Sequence, residues 1–127
     1  MILVMRLWSR CMAVMTLTLI GGASNSMQIL NDPYVQALHA VQNYSGCRLK
    51  PHADVGRVEM LFAQLEAEAK AKGLGDYIST GRQAYRRWSM NKLMVGCHPN
   101  EPVARREAEI AIDHCRDHIR EIANTKR

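Results

Sequence analysis

From about residue 31 to residue 122, apolar side chains recur every three or four positions, which is the spacing that lines one face of an α-helix. Four stretches of the chain show this pattern, and residues that start or stop helices separate them. Their apolar faces comprise Tyr34, Val35, Leu38, Val41 and Tyr44 in the first stretch; Val55, Val58, Leu61, Phe62, Leu65 and Ala69 in the second; Tyr77, Ile78, Gly81, Tyr85 and Trp88 in the third; and Ala104, Ala108, Ala111, Cys115, Ile119 and Ile122 in the fourth.

The residues between these stretches predict where the helices begin and end. Asp32, followed by a proline, is a typical N-cap for the first helix, and Gly46 stands where a left-handed residue would end it. Gly73 ends the second helix, the third fades near Gly96, and Asn100 begins the fourth.

No convincing length of the sequence alternates with the two-residue period of a β-strand, so we expect an all-α fold. The segments between the predicted helices, 47–53, 73–75 and 96–99, are short, and short connections make sequential helices antiparallel neighbours. The sequence therefore predicts a small antiparallel four-helix bundle, with an irregular packing of the same helices as the alternative.

The first 23 residues show a different pattern, which is typical of a cleaved secretory signal peptide. Arg6 and Arg10 supply a positive flank, residues 11–20 form a short and mostly apolar run, and small residues lead up to Ala23. Cleavage after Ala23 would leave residues 24–127 as a single domain, either periplasmic or secreted.

Two alternatives to this interpretation stay open. The segment is either retained as a membrane anchor, although its apolar run is shorter than the roughly 20 residues of a spanning helix, or translation starts at Met5. In each case the domain that follows is the same.

The formal net charge of the chain is +5, and Arg6 and Arg10 contribute two of these positive charges. Basic and acidic residues are interspersed along the rest of the chain, with no polybasic block. A mild basic excess of this kind favours anionic partners weakly, so we expect no binding to nucleic acid.

Export changes the interpretation of the cysteines, because disulfides persist in an oxidising compartment. Cys11 leaves with the signal peptide, and three cysteines remain. In an antiparallel bundle Cys47 and Cys97 lie at the same end, whereas Cys115 lies about 22 Å along the fourth helix. We therefore predict a disulfide between Cys47 and Cys97, which leaves Cys115 as a free thiol in the core; a bond between Cys97 and Cys115 is the alternative.

Two groups of histidines are candidate metal ligands. His52 and His98 stand near the two cysteines of the predicted disulfide, so these four side chains form an alternative zinc site. His114 and His118 are four residues apart on the fourth helix, which places two imidazoles on one face, and a neighbouring aspartate is a possible third ligand. We expect the disulfide and a solvated helix face instead, and no bound cofactor.

The sequence carries none of the patterns that identify a catalytic site. It has no Ser-His-Asp order, no phosphate-binding glycine loop and no haem-attachment motif. Cys115 has histidines nearby in sequence, but it falls on the apolar face in the middle of a helix, where a core residue is expected rather than a nucleophile. We therefore predict that the protein is not an enzyme.

The candidate binding surface is a basic ridge on the third helix, formed by Arg82, Arg86, Arg87 and Lys92. Arginine often dominates the energy of an interface, because its guanidinium forms bidentate hydrogen bonds. The alternative is that these arginines pair with acidic side chains of neighbouring helices. The acidic candidates are Glu66, Glu107 and Asp113.

These features predict a small exported helical binding protein without catalytic activity, such as an inhibitor, an immunity protein or an envelope accessory factor. We expect its partner to be another protein or an anionic envelope component, and membrane contact only if the N-terminal segment is kept as an anchor. The alternative is a periplasmic metal-binding protein that uses His114 and His118.

Overall fold

The four predicted stretches form four α-helices in the computed structural model. The helices are α1, Pro33–Ser45; α2, Val55–Ala71; α3, Gly75–Met90; and α4, Glu101–Thr125. Within the described part of the chain there is no β-strand. The prediction of an all-α bundle is therefore confirmed, while the antiparallel order of its helices stays a prediction.

The structure describes residues 31–47, 51–90 and 98–125. The predicted signal peptide, Cys97 and Lys92 lie outside these ranges. In the described ranges, no helix combines the length and the apolar character that crossing a membrane requires.

Side-chain caps explain where α1 and α4 begin. The Asp32 carboxylate accepts hydrogen bonds from the backbone N–H groups of Tyr34 and Val35, at 3.0 and 3.1 Å. At the start of α4, the Asn100 side-chain oxygen accepts from the backbone N–H of Val103 at 3.3 Å. Each cap satisfies donors that have no partner inside the helix, so the predicted N-cap at Asp32 and the predicted start of the fourth helix at Asn100 are confirmed.

The two glycines that follow α1 and α2 behave differently. Gly73 has a φ of 79°, a left-handed conformation that glycine adopts without strain, and it stops α2 as predicted. Gly46 has a φ of −78°, so the left-handed residue expected there is wrong. At Gly46 the missing side chain instead allows a close approach of the backbone, because a Cβ atom would lie 3.0 Å from the Gln42 carbonyl oxygen.

All four helices contribute to one hydrophobic core. Tyr34 and Tyr44 of α1, Leu65 of α2 and Ile119 of α4 have no exposed surface. Most of the predicted apolar faces are buried in this core, and it also takes in three residues that the predicted faces leave out, namely Ala37, Leu74 and Ile112. Cys47, just after α1, is buried as well.

The packing order differs from a simple ring of sequential helices. Helices α1 and α2 pack against each other and against both α3 and α4. In contrast, no Cα atom of α3 lies within 8 Å of a Cα atom of α4. The expectation that sequential helices are neighbours is therefore wrong for this last pair.

Candidate functional site

One residue of the predicted basic ridge already has a partner inside the protein. The Arg82 guanidinium pairs with the Glu66 carboxylate, and its Nε donates to Glu66 Oε2 at 2.9 Å. The same oxygen accepts a hydrogen bond from the Tyr34 hydroxyl at 2.6 Å. Burial and the neighbouring carboxylate raise the pKa of Tyr34, so the phenol stays protonated and acts as a donor. Arg82 thus closes a bridge between α1, α2 and α3.

The rest of the described ridge faces solvent. Arg86 and Arg87 are exposed near the end of α3, and no carboxylate of the described residues pairs with either one. Met90, one helical turn further on, has 77% of its surface exposed. We call Arg86, Arg87 and Met90 the basic face of α3. Arginine and methionine are enriched at protein interfaces, and an exposed methionine adapts to the shape of a partner.

Cys47 lies beside two histidines at one end of the bundle. His52 Nε2 lies 3.2 Å from Cys47 Sγ and 3.2 Å from the backbone carbonyl oxygen of His98. Because a carbonyl oxygen only accepts, Nε2 carries the proton, and the same N–H points at the Cys47 sulfur. His98 Nδ1 in turn accepts from the backbone N–H of Asn100 at 3.1 Å. In this arrangement His52 Nε2 and His98 Nδ1 each take part in hydrogen bonds at this end of the bundle.

His39 forms a third group, between α1 and α3. Its Nδ1 lies 3.2 Å from the Tyr85 hydroxyl, and its Nε2 lies 3.3 Å from the Asn43 side-chain amide. Its ring packs at the edge of Trp88, with 5.4 Å between the ring centroids. Burial lowers the pKa of His39, so the imidazole is neutral at neutral pH. The spacing of α1 gave no indication of this contact, because His39 lies beside the apolar face rather than on it.

The histidine pair on α4 lies on the surface. His114 is exposed, and His118 is partly buried, with its ring 6.1 Å from that of Tyr77. Among the described residues, no three His, Cys, Asp or Glu side chains come together in a group that could hold a metal ion. A metal at His114 and His118 would therefore have at most two ligands preformed in this part of the chain.

Three groups that could carry acid, base or nucleophilic chemistry are buried or paired within the fold: Cys115, Glu101 and Glu68. Cys115 is a free cysteine with no exposed surface, and burial raises the pKa of its thiol to about 12. A thiol with this pKa is protonated at neutral pH and is a poor nucleophile. The Glu101 carboxylate accepts from the Tyr44 hydroxyl at 2.9 Å, and Glu68 pairs with two arginines of α4.

Two contacts that join α3 to α1 and to the N-cap residue of α1 were not predicted from the sequence. The Tyr77 hydroxyl donates to Asp32 at 2.8 Å, so the residue that caps α1 also holds the start of α3. Gly81 lies against the Tyr34 ring, where a Cβ atom would be 2.5 Å from Cδ2. A glycine within the apolar face of a helix was the signal for such a close approach.

Comparison with known proteins assigns the chain to no group. No protein-family model matches it, and neither a curated protein nor a solved structure is significantly similar to it.

Proposed function

We propose that this protein is a small exported helical domain that acts by binding a partner, without catalytic activity. The basic face of α3 is the surface that we assign to this contact. Its partner would be an acidic surface of another protein. The two exposed arginines complement negative charge, and the exposed Met90 offers an apolar contact beside them.

The observation that carries the proposal is the sorting of arginines into two kinds. Those that face a neighbouring helix are paired, and these are Arg82, Arg105, Arg116 and Arg120. The exposed arginines without such a pair in the described residues are Arg57, Arg86, Arg87 and Arg106. Of these four, only Arg86 and Arg87 are adjacent in sequence, so they place two unpaired charges side by side on α3. Because their guanidinium groups are not needed by the fold, they are available to a carboxylate of a partner.

The test compares two double substitutions with the same change of charge. The variant R86E/R87E alters the proposed surface, and the control R57E/R106E alters two exposed arginines elsewhere that also lack an ion pair in the described residues. Each protein, together with wild type, is used to capture partners from the native envelope after cross-linking. We expect R86E/R87E to lose a partner that both wild type and the control retain. Equal capture by all three folded proteins would refute this surface.

Export, the disulfide and the antiparallel order belong to the same proposal. A disulfide between Cys47 and Cys97 is supported by the position of His98, the residue next to Cys97 in sequence, whose carbonyl oxygen shares the His52 N–H with the Cys47 sulfur. An antiparallel order is supported by the Tyr44–Glu101 hydrogen bond, which joins the end of α1 to the start of α4.

Peptide mapping without reduction tests the disulfide and export together. In protein recovered from its native compartment, we expect one cross-linked peptide that contains Cys47 and Cys97, and a mature chain that starts after Ala23. A disulfide that includes Cys115 would contradict the predicted pairing, and an intact N-terminus would contradict the predicted cleavage.

A further inference from the structure

The structure divides the histidines of this protein into two classes. All five lie in the described ranges. Three of them, His39, His52 and His98, have a ring nitrogen within hydrogen-bond distance of another group. Neither His114 nor His118 makes a hydrogen bond or an ion pair with the described residues. The ring nitrogens of these two histidines are therefore open to a ligand from outside.

The helix places these two histidines next to each other on one face. Residues four apart on an α-helix are neighbours on its surface, about 5 to 6 Å apart between Cβ atoms. The intervening turn is anchored because Cys115 and Ile119, the residues that follow each histidine, are fully buried in the core. The ring of His118 is further restricted by the Tyr77 ring, whose centroid lies 6.1 Å away. His114 is exposed, so its ring can turn toward His118.

We propose that His114 and His118 form a two-histidine binding site for a divalent transition metal on the outside of α4. Imidazole nitrogens suit copper, nickel and zinc, and the general order of affinities makes copper(II) the tightest of these. Since no third His, Cys, Asp or Glu is preformed beside the pair in the described residues, the remaining coordination positions are open to water or to a donor from another molecule. The site is separate from the basic face of α3 and does not depend on the binding function proposed above.

Copper(II) chloride is the probe in the experiment that tests this site. A ligand that binds the native state raises its stability by mass action, so copper at about 100 times its dissociation constant should raise the Tm of a domain of this size by roughly 10 °C or more. Magnesium, which prefers oxygen ligands, should leave the Tm unchanged. Titration calorimetry measures the affinity in parallel.

Three variants locate the site. His114→Ala and His118→Ala each remove one ligand, and we expect each to weaken copper binding at least tenfold, roughly the lower end of what loss of a supporting group costs a metal site. The exchange D113H/H114D keeps the composition but turns one imidazole by about 100° around the helix, away from His118, and it should weaken binding as much. His114 is exposed, so its variants keep the fold, which circular dichroism checks.

Copper affinity that is the same in wild type, His114→Ala and the D113H/H114D exchange would overturn the proposal. So would a wild-type protein whose Tm does not respond to copper.

Discussion

Two of the contacts between helices in this bundle differ in chemistry. Aromatic rings of α1 and α3 pack together, whereas α2 and Asp54, the residue before it, form ion pairs with α4 at the edge of the shared core. The ring pairs are Tyr34–Tyr77 at 6.1 Å, His39–Tyr85 at 5.8 Å and His39–Trp88 at 5.4 Å between centroids. The ion pairs are Arg105–Asp54 at 2.7 Å, Arg116–Glu68 at 3.5 Å and Arg120–Glu68 at 3.1 Å.

The difference in burial decides which contact matters more for stability. Tyr34 has no exposed surface and Tyr85 has 8%, while the side chain of Arg120 is 54% exposed. Burying an aromatic side chain removes about 150 to 250 Å² from water, but an exposed ion pair contributes only about 0 to 1 kcal/mol. We infer that α1 and α3 are held by packing, and that the ion pairs mainly select how α2 and α4 lie side by side.

The largest predicted effect comes from a methyl group added inside the aromatic contact. Gly81→Ala places a Cβ atom 2.5 Å from the Tyr34 ring, which is fully buried and whose hydroxyl is hydrogen-bonded to Glu66. Overpacking of this kind costs about 1 to 3 kcal/mol, of which the helix propensity of alanine offsets at most about 1 kcal/mol. We expect a lower free energy of unfolding in urea.

Two controls separate this clash from a general effect of glycine. Gly56→Ala adds the same methyl group to α2 where no atom lies within 4 Å, so it should leave stability unchanged or increase it. In a Tyr34→Leu background, Gly81→Ala should cost much less than in wild type, because the ring is gone. An equal cost in both backgrounds would show that the Tyr34 ring is not the obstacle.

An intermediate effect on stability is expected at the aromatic contact when the pH of the solution is lowered. Burial lowers the pKa of His39 below its usual 6.5, so the unfolded chain takes up a proton at a higher pH than the folded protein does. The contribution of the neutral, partly buried His39 to the free energy of unfolding is constant well above pH 6.5. It is lost as the pH falls from there through the lowered pKa of His39. Between pH 7.5 and 5, the denaturation midpoint of wild type should therefore fall further than that of His39→Gln. Parallel pH dependence of the two proteins would rule out His39 as the cause.

The smallest effect is predicted for the ion pairs of α2 and α4. Glu68→Gln removes the charge that Arg116 and Arg120 share but keeps the shape of the side chain. We expect a loss below about 1 kcal/mol, which decreases further as salt is added. A loss of stability as large as that of Gly81→Ala would show that the ion pairs matter as much for stability as the aromatic contact does.

The sequence predicted local features of the fold well. The N-caps at Asp32 and Asn100 and the stop at Gly73 follow from hydrogen bonds or dihedral angles within a few residues, and such features are visible in a local pattern. The apolar spacing likewise predicted the buried faces. It did not predict the conformation of Gly46, which depends on how the chain leaves α1.

The candidate sites were predicted less completely, because residue spacing does not show which charges meet. Arg82, Arg86 and Arg87 look alike in sequence, yet only Arg82 faces the Glu66 carboxylate. In the same way, five histidines are equivalent until packing gives three of them partners. The sorting of these side chains depends on contacts between different helices.

By itself, the sequence determined that this protein is helical, where α1 and α4 begin, where α2 ends and which faces of the helices are apolar. Those properties follow from caps, glycines and a period of 3.6 residues, all of which act over one or two turns. Only the tertiary structure decided that α3 and α4 pack on α1 and α2 rather than on each other, and that Tyr34 fits against Gly81. The shapes and charges of residues far apart in sequence set these contacts, and they leave the basic face of α3 and the His114–His118 pair open to other molecules.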